Sequence, residues 1–156
     1  MRGIRTLTLV LLTLSLSCPV MGEDATVGSL DEATAAFRQA RKRLVVENLP
    51  LTGPEAERFW PLYERFQRDL AILMERRRAL IAEFGENYDD MTDAAARKLV
   101  IDRLEYQEAR YRLLRAYLPR FEKVLPAKKL ARYFQIEGKI AAYVEAGIAE
   151  ELPLIR

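Results

Sequence analysis

Residues 51–84 read LTGPEAERFWPLYERFQRDLAILMERRRALIAEF. Thr52 followed three residues later by Glu55 is a capping box, and Pro54 falls in the first turn, where its missing N–H does no harm. Beyond it Phe59, Tyr63, Phe66, Leu70, Leu73, Leu80 and Phe84 recur at steps of three, four and seven. That period is the apolar stripe of an amphipathic helix and predicts one helix over 53–86. Arg77 interrupts the stripe. Pro61 lies inside the helix, removes the bond to the carbonyl of Glu57, and predicts a kink.

Helical start signals recur on both sides. Upstream, Ser29 with Glu32 is another capping box and predicts a helix over 29–48, striped by Phe37, Leu44 and Val45. Asn48-Leu49-Pro50-Leu51 stops it, because the residue before proline is pushed out of helical geometry. Downstream, GENYDD at 85–90 reads as a turn, and Thr92 caps a helix over 93–124 with Asp93 at its positive end. Val100, Leu104, Gln107, Tyr111, Leu114, Leu118, Phe121 and Leu125 give it a coiled-coil-like seam, and Pro119 predicts a second kink. Leu125-Pro126 opens a last helix striped by Leu130, Tyr133, Phe134, Ile140, Val144 and Ile148. Glu137 interrupts that stripe and Pro153 ends the helix. No stretch shows strand alternation. The fold class is all-α: an elongated antiparallel helical hairpin of two long kinked helices, about 45–50 Å each, with two shorter helices packed on it. Long helices in a chain this small leave apolar surface uncovered, which points to a dimer.

Residues 1–22 carry Arg2 and Arg5, a short apolar run from Leu7 to Leu16, and then small or turn-forming residues. This is the pattern of a secretory signal peptide with cleavage after Gly22, since the run is too short to span a bilayer. Two alternatives stay open: an uncleaved membrane anchor, and a lipoprotein acylated at Cys18. The organisation is then a signal peptide at 1–22, a flexible leader at 23–28, a single all-helical domain at 29–152 and a tail at 153–156. The chain has 156 residues, with 25 Lys+Arg against 23 Asp+Glu. Cleavage takes two arginines and no acid, so the mature chain is formally neutral and argues against a nucleic-acid partner. It also lacks the sole cysteine and suits an oxidising compartment without disulfides. Histidine is absent altogether. No Ser-His or Cys-His nucleophile pair and no His/Cys zinc site can be built. An enzyme is not expected, and no cofactor or dedicated metal is implied.

A shift of 74 residues aligns LTGPEAERFWPLY at 51–63 with LPAKKLARYFQIE at 125–137. Leu51 meets Leu125, Arg58 meets Arg132, and Phe59-Trp60 meets Tyr133-Phe134. Leu51-Thr52-Gly53-Pro54-Glu55 resembles the Leu-Thr-x-x-Gln motif of the Spy/CpxP-like periplasmic helical family, with Glu55 in place of glutamine. Leu125-Pro126 resembles a degenerate second copy that keeps the leucine. The resemblance implies a cradle-shaped helical dimer in the periplasm, acting as an ATP-independent chaperone or an envelope-stress protein. The family's metal-responsive branch relies on histidine, which this chain lacks.

Candidate binding residues cluster on the 51–84 stretch. Arg76-Arg77-Arg78, with Arg65 and Arg68 one or two turns earlier, makes a basic patch beside the apolar seam. Guanidinium groups bind acidic segments and stack on rings, so such a surface suits unfolded clients; equally, it is a solvated helix face paired with nearby carboxylates. Trp60, with Phe59, Tyr63 and Phe66, is either a client or dimer contact or a clasp between helices. Glu86, Asp89, Asp90 and Asp93 lack the spacing of a calcium loop and read as a polar turn. The expected function is chaperone-like capture of partly unfolded envelope proteins. The alternative is a non-enzymatic regulatory protein that docks one dedicated partner.

Overall fold

The computed structural model describes residues 24–155; the segment 1–22 read as a signal peptide, the expected cleavage site and Cys18 lie outside the described residues. Four α-helices account for nearly all of it: α1 (Asp24–Asn48), α2 (Gly53–Asn87), α3 (Asp93–Glu122) and α4 (Ala127–Glu151). The chain divides into two units, Met1–Arg38 and Gln39–Arg156. The first contains the opening turns of α1. The second contains the rest of α1 and the other three helices.

The starts of α2 and α3 fall where capping chemistry places them. Thr52 N–H donates to the Glu55 carboxylate at 2.7 Å, and the Thr92 hydroxyl accepts from Ala95 N–H at 3.2 Å. Pro126 is the N-cap of α4 rather than its first residue. The start of α1 differs from expectation. The helix begins at Asp24, so 24–28 are helical rather than a loose leader, and Ser29 lies inside the helix. Gly28 is the only poor helix former in that stretch, and one glycine costs about 1 kcal/mol, too little to end a helix. α2 and α3 continue through Pro61 and Pro119.

α2 packs chiefly on α3, and partners that climb α2 descend α3. Phe59 meets Phe121, Phe66 meets Tyr117, Arg76 pairs with Glu105 and Glu83 with Lys98. The main core gathers Val45 and Leu49 of the α1 end, Phe59, Tyr63, Phe66 and Leu70 of α2, Tyr117, Phe121 and Leu125, and Tyr133 of α4.

Four expectations about the stripes need correction. Arg77 does not break the α2 seam; it is buried within it. Glu137 likewise stays inside the α4 stripe, 3% exposed. On α3 the expected seam largely faces outward: Val100, Leu104, Tyr111 and Leu118 are exposed, while Tyr106 and Tyr117 turn inward beside Phe121. The rings bury more area than the aliphatic side chains, and the Tyr117 hydroxyl is satisfied by Asp69 at 2.5 Å. On α1, Phe37 and Leu44 are exposed, and Arg41, Val45 and Leu49 form the inner row.

Candidate functional site

The two motif-like helix starts come together. Leu51 packs against the core edge, and Leu125 is buried within the core. Lys129 Nζ lies 2.5 Å from the Glu55 carboxylate. Glu55 and Lys129 occupy equivalent positions in the 74-residue shift, as do Phe59 and Tyr133, whose rings meet edge-on at 5.1 Å. Each start thus touches its own counterpart. Lys129 and the Thr52 N–H together hold the Glu55 carboxyl at a pKa of about 2, below the ordinary 4.5. Opposite charges at equivalent positions were visible in the aligned stretches and were the signal for this contact.

Beneath the clasp lies a buried polar pair. Arg41 donates to Glu137, both nearly enclosed, and Gln67 donates to the second Glu137 oxygen at 3.2 Å. Burial raises the Tyr63 and Tyr133 phenols above the usual range, and the charge of Glu137 raises them further. In the sequence Glu137 shows only as a break in the α4 stripe, and Arg41 was not singled out.

The arginine run does not form one patch. Three successive residues on a helix point about 100° apart. Arg76 reaches Glu105 at 2.8 Å on the surface. Arg78 pairs with Glu75 of its own helix. Arg77 is buried, 2.7 Å from Glu145 of α4, with its guanidinium 5.6 Å from the Tyr106 ring centre. Arg65 and Arg68 are exposed; Arg65 is near enough to Tyr117 to act on its phenol electrostatically. Trp60 is half-buried at the core edge, edge-on to Phe59 and Tyr63, with Lys42 Nζ 5.4 Å from its ring centre. It joins the aromatic clasp and keeps one side available.

Two further surfaces are left. One is the outward face of α3, where Val100, Ile101, Leu104, Tyr111 and Leu118 stand exposed among Arg97, Arg112 and Arg115. The other is a cavity of about 620 Å³ bounded by the later turns of α2 and α4 and the early turns of α3. The stretch after α4 borders it, held by a hydrogen bond from Tyr88 Oη to the Leu154 carbonyl at 3.1 Å.

Among the described residues no group of three or more metal-ligating side chains converges, and no helix is long and apolar enough to cross a membrane. No family model matches this chain, and neither a curated protein nor a solved structure matches it.

Proposed function

We propose that this chain is a periplasmic, chaperone-like protein that captures partly unfolded envelope proteins without ATP. One observation carries the reading: the outward face of α3. Leu104 is 64% exposed, Tyr111 61% and Val100 58%, on a helix whose opposite face is already committed to α2. An apolar stripe left in solvent marks an interaction surface. The interleaved arginines add affinity for acidic segments and for rings. The reading keeps the resemblance to the Spy/CpxP-like family and its placement in the periplasm. It also keeps the elongated antiparallel hairpin and the cradle-like homodimer as the form in which the face is presented.

A second reading is favoured by spacing. Ile101, Leu104, Glu108, Tyr111, Arg115 and Leu118 follow each other at steps of three and four, the register of a face that receives one helix. A dedicated partner, or a second copy, fits that register. An antiparallel copy centred between Tyr111 and Arg112 brings Glu108 opposite the copy's Arg115.

Aggregation suppression separates the two. The purified protein is mixed with two unrelated denatured clients, without nucleotide, at stoichiometric ratios and two salt concentrations. Protection of both, weakened by salt and by Leu104→Glu with Tyr111→Glu, is the expected result. No protection at several-fold excess overturns capture and leaves the dedicated partner.

A further inference from the structure

The cavity beside α4 has the makings of a ligand site. Its wall is apolar over most of its length, formed by Leu80 and Phe84 of α2, Leu99 of α3, and Ile148 and Leu152 at the end of α4. It is a cleft open to solvent on one side rather than an enclosed void. A volume of about 620 Å³ falls within the range of small-molecule pockets, about 300–1,000 Å³. Of the residues of α4 and its C-cap that border it, Ala149 alone is small; Glu145, Ile148 and Leu152 form the rest of that wall.

Charge is confined to one end. Arg77 and Arg103 both approach Glu145, at 2.7 and 4.0 Å. Of the described residues bordering the cavity these three are the charged ones, so two cations share one carboxylate. Arg77 is fully engaged, buried against Tyr106 and Glu145. Arg103 is only loosely engaged, with its side chain 63% exposed. From Arg77 to Phe84 the α2 axis runs seven residues, about 10 Å, and the bordering side chains along that length are apolar.

We propose that this cavity binds a medium-chain alkyl carboxylate, its chain laid along Leu80, Phe84, Leu99 and Leu152 and its head on Arg103. The guanidinium fork matches a carboxylate in two parallel hydrogen bonds. The net positive charge at that end selects an anionic head over a neutral or cationic one. The inference is independent of client capture, which was argued from a different face of α3.

Titration calorimetry with decanoate and decylammonium below their micelle concentrations, and decanol below its solubility limit, tests it on the purified protein. Decanoate is expected to bind one saturable site about tenfold more tightly than decanol, with decylammonium weaker still. Arg103→Glu changes an exposed residue, reverses the net charge at that end, and is expected to weaken decanoate at least tenfold. Leu99→Trp fills the cavity and is expected to abolish binding of decanoate and decanol alike; circular dichroism checks that each variant keeps its helices. Equal affinity for decanoate and decanol, or decanoate binding unchanged by Arg103→Glu, overturns the proposal. Binding that persists in a folded Leu99→Trp variant places the ligand elsewhere and overturns it too.

Discussion

The end where α2 and α4 begin and the end where they finish are filled by different means. At the first, Phe59, Phe121 and Tyr133 are within 1% of complete burial and their rings meet at 4.8–5.7 Å. At the second, Phe84 is 8% exposed and borders a cavity of about 620 Å³. Each end also buries an arginine on a glutamate of α4, yet the two pairs are not alike. Glu137 is 4% exposed and bonded twice, whereas Glu145 is 35% exposed and opens on the cavity. Rings at helical spacing fill space without gaps at the first end; at the second, aliphatic side chains from α2, α3 and α4 leave a cleft between them. The first end therefore holds the fold together, and the second has room for another molecule.

The largest test of that contrast is ring removal. Phe121→Ala should cost about 3–5 kcal/mol, because the void it leaves is walled by other rings that cannot collapse. Phe84→Ala should cost about 2 kcal/mol, mainly the transfer of a ring that already adjoins open volume. Urea denaturation of both variants measures the gap. Equal losses would mean that the far end is as tightly built as the clasp.

Next come the two buried pairs. Glu137→Leu strands the Arg41 guanidinium in the core and should cost about 3–5 kcal/mol; adding Arg41→Met should recover most of it. Glu145→Leu should cost about 1 kcal/mol, since solvent reaches Arg77 through the cavity and screens it. A double variant as unstable as Glu137→Leu alone would show that the inner pair contributes more than a desolvated charge would.

Helix positions were legible in the sequence because caps and prolines act locally. Thr52, Thr92 and Pro126 place three starts within a residue of where they occur. The orientation of α3 was not legible. Hydropathy ranks Val100 and Leu104 above Tyr106 and Tyr117, but burial depends on which hydroxyls find partners across helices, and Asp69 lies 48 residues from Tyr117. Arg77 and Glu137 looked like breaks for the same reason. Their partners, Glu145 and Arg41, sit on other helices, where no local pattern reveals them. The motif starts were legible as sequence and their mutual contact was not read, although Glu55 and Lys129 stood at matching places in the shifted alignment.

A smaller effect concerns acid at the clasp. The Glu55 pKa is lowered from 4.5 to about 2, first by Lys129 and then by the Thr52 N–H. A carboxyl with a depressed pKa in the folded state stabilises fully above its unfolded value and loses that contribution as pH falls. The window here is pH 4.5 down to about 2. Glu55→Gln can keep the capping contact but not the charge. It should lower Tm near neutrality, and its Tm should then fall less than the parent's across that window. Parallel Tm curves for the two proteins would show that the Lys129 contact does not persist in solution.

The smallest effect expected lies in the arginine run, and it separates neighbours in one helix. Arg76→Ala removes a surface pair whose partners are each about half exposed, and should change stability by no more than about 0.5 kcal/mol. Arg77→Ala removes a stem packed on Tyr106 and leaves Glu145 with only the distant Arg103, so its cost should be several times larger. Urea denaturation of the two variants side by side reads the difference. If Arg77→Ala matched Arg76→Ala, the far-end pair would be a solvated contact that adds little to holding α4. If the gap is as large as expected, the Arg77 guanidinium helps fix the far end of α4 as the rings fix the near one. The cavity between Arg77 and Phe84 is then a permanent feature of the fold rather than a gap that opens when α4 frays.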